Sequence, residues 1–419
     1  MFLKLKNRLR DILKWSEKYT GTDMIYLARG SFWLTSGQII SAGAVFATSL
    51  AFANLLPQQA YGTYKYILTL AGLFTAISLT GLSASLAQAA ARGLEKTFQP
   101  IFKSKVRWSL IACIVTLSAG GYYFFKGNLI LGGGLTIAGL FLPLMETAGL
   151  YSYLLQGRKN YQDTAKYQAL SQIFASAVLI TTLFLTHNLF IIIAAYFCSW
   201  TISRWIILKI ILKTHPLIGE IDQQAVNYGK HLSLMEIINQ VAEYLDKILI
   251  FQFLGAVQVA VYSIAIAVPE QIRGFIKNLN FFLLPKFATQ DADLVQKNLT
   301  KKIILLIVGL IIIVALYILC APFLFKLFFP KYLASITYSQ FLALGLIAYA
   351  SIVPLNFLKA HKFTKQLYQS NNFTSLFQII SLLILIKFFG IWGAVIAKVL
   401  TKFFNLIYLL IASKTAVKK

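Results

Sequence analysis

Acidic residues are scarce in this chain. Its 419 residues hold 14 Asp and Glu against 39 Lys and Arg, a formal charge of +25, and charged residues make only 13% of it. A soluble chain carries about 25% charged residues, so a soluble domain is excluded. The three cysteines, Cys113, Cys198 and Cys320, fall in apolar runs at no metal-site spacing and read as buried thiols. His187, His215, His231 and His361 are scattered, with no pair at ligand spacing, so neither a metal nor a cofactor is expected. No phosphate-cradling Gly-Lys-Ser loop occurs, which excludes ATP hydrolysis. Large loops with paired acids, which a membrane glycosyltransferase or polymerase needs, are missing too. The longest connection offers only Glu220 and Asp222, and the chain is not read as an enzyme. Ten-residue alternating segments do not stand out, so a β-barrel is excluded.

What the chain has is apolar length. It is 58% hydrophobic, in repeated runs of about 20 residues that mark a polytopic all-α membrane protein. Twelve spans are expected, near 31–53, 64–86, 108–125, 129–154, 169–186, 189–212, 233–254, 257–284, 303–328, 337–358, 372–389 and 391–412. Loop charge tests the count. One side collects Arg92, Lys96, Lys103, Lys105, Arg107, Arg158, Lys159, Lys209, Lys213, Lys301, Lys302 and others; the opposite side holds little beyond Lys65, Lys126, Lys326, Lys331 and Lys387. The positive-inside rule makes the rich side cytoplasmic, with both termini inside. In a soluble protein such a charge would suggest nucleic acid; here topology accounts for it, and no nucleic-acid partner is expected.

Residues 1–28 are basic, with Phe2, Leu5, Leu9, Ile12 and Leu13 at helical spacing among lysines and arginines. They suit a helix lying on anionic cytoplasmic lipids, or a frayed basic tail. The expected organisation is a cytoplasmic segment 1–30, a first half 31–212, a linker 213–232, a second half 233–412 and a cytoplasmic tail 413–419. Weak overlays of 55–64 on 253–262, and of 188–195 on 390–397, fit two parallel repeats of six spans.

The stretch 236–285 is the most informative. It reads as two apolar helices joined near Leu254–Val257, yet it carries Glu236, Glu243, Asp246, Lys247, Glu270, Arg273 and Lys277. A charge at the bilayer centre costs roughly 2.5–3.5 kcal/mol on insertion scales, so these helices need a polar interior to face. The expectation is a water-filled, mostly cationic cavity.

The segments LLPQQAYGTYKYI (55–67), EYLDKILIFQFLGAVQVAVYSIA (243–265), FFLLPKFA (281–288) and FFGIWGAVIAKVL (388–400) resemble the Wzx-type O-antigen and capsule polysaccharide flippases of the MOP superfamily, whose cousins are the MATE exporters and the lipid II flippases. The similarity runs from about residue 30 to 412 and rests on order and span number. It implies a V-shaped bundle of two six-helix lobes that rock about a central cavity. It also implies a substrate, an oligosaccharide on undecaprenyl pyrophosphate, moved from the cytoplasmic to the outer leaflet of a bacterial inner membrane. Partners would be membrane lipids, a polysaccharide polymerase and a chain-length regulator.

Candidate residues come from the sequence itself. Arg273, Lys277 and Asn280 share one helix face, as a phosphate-binding stripe or as a Glu270–Arg273 pair beside a snorkelling lysine. Lys398, Lys402 and Asn405 repeat that spacing close to the midplane, for substrate or for an ion pair. Lys247 either pairs with Glu243 one turn away or faces the cavity. In the latter case Asp246 or Glu243 would bind a coupling proton or cation. Glu146 stands alone in its span and must be protonated or partnered. The competing reading is a MATE-like cation-coupled drug exporter, whose cavity would be acidic; a membrane polysaccharide polymerase is the third.

Overall fold

The structure is a computed structural model describing residues 24–280, 283, 287 and 292–416. Most of the basic segment 1–28, as well as Lys286 and the end of the tail, lies outside the described residues. Among those described there is no β-strand. The first half comprises α1 (Met24–Leu55), α2 (Gln58–Phe74), α3 (Gly81–Ala91), α4 (Phe98–Phe125), α5 (Leu129–Ala148), α6 (Leu150–Gly157), α7 (Tyr161–Leu185) and α8 (Leu189–Thr214). The second comprises α9 (Gln223–Leu254), α10 (Ala256–Lys277), α11 (Ala292–Phe328), α12 (Ser335–Leu344), α13 (Ile352–Ala360) and α14 (Thr364–Ala416).

Local chemistry sets these limits. Pro57, extended at φ −61° and ψ 145°, separates α1 from α2. The side chains of Asn128, Asn160, Asn188 and Asp222 each accept from a backbone N–H of the first turn that follows, a cap worth about 1 kcal/mol. Gly255, at φ 85°, makes the turn expected near 254–257. Gly390, at φ 57° and ψ −131°, breaks α14 in a region of backbone space that favours glycine. Phe377 stacks on Phe404 at 4.5 Å, and Ser370 donates to Asn405 at 3.1 Å. The chain therefore reverses at Gly390, and 364–389 and 391–416 are the arms of a hairpin.

Nine helices among the described residues are long and apolar enough to cross a membrane, and the α2–α3 pair, bent by 54°, makes a tenth. The hairpin supplies one of those nine as two arms. Helix α9 fails the apolar criterion because it carries Lys230, Glu236, Glu243, Asp246 and Lys247. Apolarity alone thus yields nine or ten spans where twelve were expected. At the basic end the helices also start earlier than expected: at 98, 161, 223, 292 and 364 instead of 108, 169, 233, 303 and 372. Hydropathy marks the turns immersed in lipid, whereas a helix continues through charged turns in water. The linker consequently shrinks, with helix up to Thr214 and again from Gln223. Cys113 and Cys198 are half-buried. Cys320 is exposed on the outward face of α11 with Leu316, Leu319 and Phe323, contrary to the expectation of buried thiols.

Packing differs between the two ends of the bundle. At the charge-poor end one core joins both halves, including Phe52, Tyr61 and Ile67 with Val259, Tyr262 and Phe329. A methyl at Gly62 would meet the Ala256 carbonyl oxygen at 1.7 Å, so only glycine lets α2 lie this close to α10. Tyr66 stacks on Phe251 at 3.7 Å. Lys331 Nζ donates to the Asn54 carbonyl at 2.6 Å, and Asn54 Nδ2 donates to that of Phe328 at 3.0 Å. Toward the basic end the core divides, with Leu82, Phe98 and Leu154 in one cluster and Phe287, Leu310 and Phe357 in another. There α9 still bridges the halves: Thr80 donates to Glu236 at 2.8 Å, and Gln378 donates to the Ala242 carbonyl, also at 2.8 Å.

Candidate functional site

A cavity of about 660 Å³ lies between the first half and α10. A second space of about 670 Å³ shares Gln38, Ser41, Gln156 and Gln168 with it and extends to Gln88, Ala91 and Asn278. The lining is chiefly amide, hydroxyl and aromatic. Gln38 and Ser41 come from α1, Tyr153 from α6, Gln172 from α7, and Trp200 and Arg204 from α8. Glu270 and Gln271 of α10 close the opposite side.

The first-half wall holds Lys105, Glu146 and Arg204. Lys105 is 2% exposed, and its Nζ lies 3.5 Å from both Glu146 Oε2 and Ser83 Oγ. Glu146, read from sequence as solitary, is therefore partnered across helices. Arg204 Nη1 donates to the Met145 carbonyl at 3.1 Å, and its guanidinium carbon sits 4.9 Å from the centre of the Trp200 ring. Trp205 Nε1 donates to the neighbouring Leu144 carbonyl at 3.0 Å. Both bonds hold the last turns of α5, after Pro143 and before the break to α6 at Gly149. Arg204 has no ion-pair partner among the described residues.

The second half gathers the remaining candidates. Asp246, 1% exposed, accepts from Lys398 Nζ at 2.7 Å, Tyr262 Oη at 2.9 Å and the Lys247 backbone N–H at 2.7 Å. Arg273 Nη1 reaches Glu270 at 2.7 and 2.9 Å, one turn apart on α10. The Arg273 guanidinium and Lys402 Nζ lie 5.9 and 5.1 Å from the centre of the Tyr349 ring. The structure thus brings Arg273 and Lys402 together around one aromatic ring. Lys277 is exposed at the end of α10, and its carbonyl accepts from Asn280 at 2.8 Å. Neither Glu243 nor Lys247 has an ion-pair partner among the described residues, so the local pair weighed from sequence does not form. Glu236 is half-buried and bonded to Thr80. Among the described residues no group of three acids, histidines or cysteines could hold a metal.

Two lining cations were missed in the sequence. Lys105 was counted among loop charges because the apolar run of α4 starts only near 108. Arg204 sits in the apolar run 189–212, where the rule applied to Arg273, that an intramembrane charge needs a polar face, would have found it.

Residues 27–289 match the family model described as polysaccharide biosynthesis protein. Among solved structures, the chain is similar to a MOP superfamily transporter from Pyrococcus furiosus, described as having a binding pocket of reverse polarity. That match has a TM-score of 0.63 at 13% identity and covers 94% of this chain and 95% of that one. It is similar also to two structures each described as a multidrug resistance MATE family transporter of the MOP superfamily, one outward-facing and one inward-facing. The outward-facing one gives a TM-score of 0.67 at 13% identity over 94% and 95% of the two chains. The inward-facing one gives 0.60 at 12% identity over 93% and 98%. Among proteins of curated function, none matches this sequence. At such identities the solved structures speak to fold alone. The family model covers well over half of the chain, which therefore belongs to the polysaccharide biosynthesis protein family and has a helical fold like that of these transporters.

Proposed function

We propose that this protein is a flippase for oligosaccharides linked to polyprenyl pyrophosphate. It would carry them from the cytoplasmic to the outer leaflet of a bacterial inner membrane for O-antigen, capsule or exopolysaccharide synthesis. The reading crosses all twelve expected spans, with α9 and both hairpin arms included, and puts the basic end and both termini in the cytoplasm. The observation that carries it is the cavity lining. Amides and hydroxyls that hydrogen-bond sugar hydroxyls, interleaved with tyrosine and tryptophan, suit a glycan head better than a hydrophobic drug. The cluster of Arg273, Lys277 and Lys402 against Glu270 leaves two positive charges for the pyrophosphate. Arginine would fork onto its oxygens and lysine would add point charge. The polyprenyl tail stays in lipid.

The packing suits alternating access. With one core sealing the charge-poor end and two at the basic end, the head would enter from the cytoplasm. Opening requires the Lys331–Asn54–Phe328 contacts to part. Asp246, held by three donors, is assigned to structure. Glu243 and Glu146, with looser surroundings, are the acids left for a coupling proton or cation. A polymerase and a chain-length regulator would take the product outside.

The test is photocross-linking in native membranes with a polyprenyl pyrophosphate disaccharide bearing a photoactive group on its sugar. Labelling should map to cavity-lining peptides of α6, α8 or α10. It should be competed by unlabelled glycan lipid and not by ethidium. Competition by ethidium alone would favour the drug-exporter reading and overturn this one.

A further inference from the structure

We infer that the first-half wall is a subsite for a sugar bearing a single carboxylate, centred on Arg204 and Lys105; this deepens the reading above by naming the class of glycan. Arg204 is pinned on one edge by the Met145 carbonyl at 3.1 Å and against one face by Trp200. Its remaining donors lie in the cavity without an acidic partner among the described residues. A guanidinium held this way is a preorganised fork for a planar carboxylate. Lys105 adds a second observation. It is 2% exposed, lines the same cavity, and has partners only at 3.5 Å. That is long for a charge-assisted hydrogen bond, which runs about 2.7–2.9 Å, so the ammonium is poorly satisfied for so buried a group.

Charge selects the ligand. Lys105 and Arg204 stand against Glu146, leaving one positive charge on this wall. A monoanionic carboxylate neutralises that surplus, whereas a pyrophosphate would be left in excess beside Glu146 and Glu270. The ring of Tyr153, 38% exposed in the cavity, offers a stacking face for the sugar. The amides of Gln156 and Gln168 both donate to Ser152, at 3.1 and 2.8 Å, which leaves their carbonyls for sugar hydroxyls.

The experiment is calorimetric titration of the full-length protein in nanodiscs with cellobiouronate, with neutral cellobiose and, separately, with inorganic pyrophosphate. Cellobiouronate should bind about tenfold tighter than cellobiose, as expected for one charge-assisted bidentate contact. Arg204→Gln should abolish that preference and leave pyrophosphate binding unchanged, which also shows that the variant is folded. Arg204→Lys, keeping charge without the fork, should retain part of it. Equal binding of the two sugars, or a preference that survives Arg204→Gln, overturns the inference. Pyrophosphate binding that persists in such a case leaves the flippase reading standing. Uronate selectivity with no pyrophosphate binding supports the subsite and counts against the lipid carrier.

Discussion

Asp246 in the second half is 1% exposed and meets three donors at 2.7 to 2.9 Å. Lys105 in the first half is as deeply buried, yet its partners stand at 3.5 Å. Both are charges in an apolar bundle, where an unpaired ion would cost several kcal/mol. The first has been satisfied by the protein itself. It ties α9 to α10 and to the second arm of α14, and leaves nothing for a ligand to add. The second faces a cavity and is satisfied only loosely, so that an anion would complete it. Burial alone does not separate structural from functional charge in such a bundle; the tightness of the partner shell does.

The largest effect should come from breaking the tight shell. Asp246→Ala leaves Lys398 unpaired and should cost about 3–5 kcal/mol, seen as a large loss of thermal stability in detergent. The double variant Asp246→Leu, Lys398→Met should recover most of that, because exchanging a whole buried pair for apolar side chains is often neutral. If the single variant is as stable as the parent, the contrast between the walls is void.

Loosening the other wall should do less to the fold and more to transport. Lys105→Met leaves Glu146, 19% exposed at the cavity, in place of a pair at 3.5 Å and should cost less than the ~3–5 kcal/mol of breaking a fully buried pair. Glycan-lipid transport by the same variant should fall severalfold. A melting shift as large as that of Asp246→Ala would place Lys105 with the structural charges.

The seal at the charge-poor end gives a smaller effect. Lys331→Ala removes its bond to the Asn54 carbonyl, worth about 1 kcal/mol. It should raise the reactivity of a cysteine introduced at Val259, buried in the core that joins both halves, toward a membrane-impermeant thiol reagent. Unchanged labelling would mean that this contact does not hold the end shut.

The smallest lies at the linker. Asp222 accepts from the Ala225 backbone N–H and pairs with Arg92 at 2.7 Å; these bonds, the backbone one first, hold its carboxyl below the ordinary value of 3.8. Its folded form therefore gains stability above that value and loses it as pH falls through the depressed one. The stability gap between the parent and Asp222→Asn should be present at pH 7 and close in that acidic window. A gap that stays constant with pH would remove the carboxylate from the account.

Much of the fold was legible in sequence because it follows from single-helix properties. The turn at Gly255, the reversal at Gly390 and the helix starts after Asn128 and Asn188 each depend on a few neighbouring residues. Helix ends at the basic side were not legible, since hydropathy ends where water begins and backbone hydrogen bonding does not. The site was legible only as a set of charged positions. Lys247 and Glu243 sit at favourable helical spacing, yet Asp246 finds Lys398 152 positions away, and Glu146 finds Lys105 on a different helix. Such pairs depend on which faces pack together, which spacing along one helix does not specify.

The central claim, that the cavity passes a glycan on a pyrophosphate lipid, is tested most directly in vesicles. The purified protein is reconstituted with a short-chain polyprenyl pyrophosphate oligosaccharide carrying a fluorophore on its sugar. A membrane-impermeant quencher is then added outside. In empty vesicles about half of the signal should remain, from the inner leaflet. With the protein, that protected fraction should fall toward zero, and Arg273→Ala should restore protection at equal protein level. A protected fraction that stays at the level of empty vesicles would contradict the account, and full activity in Arg273→Ala would remove the second-half cation cluster from it.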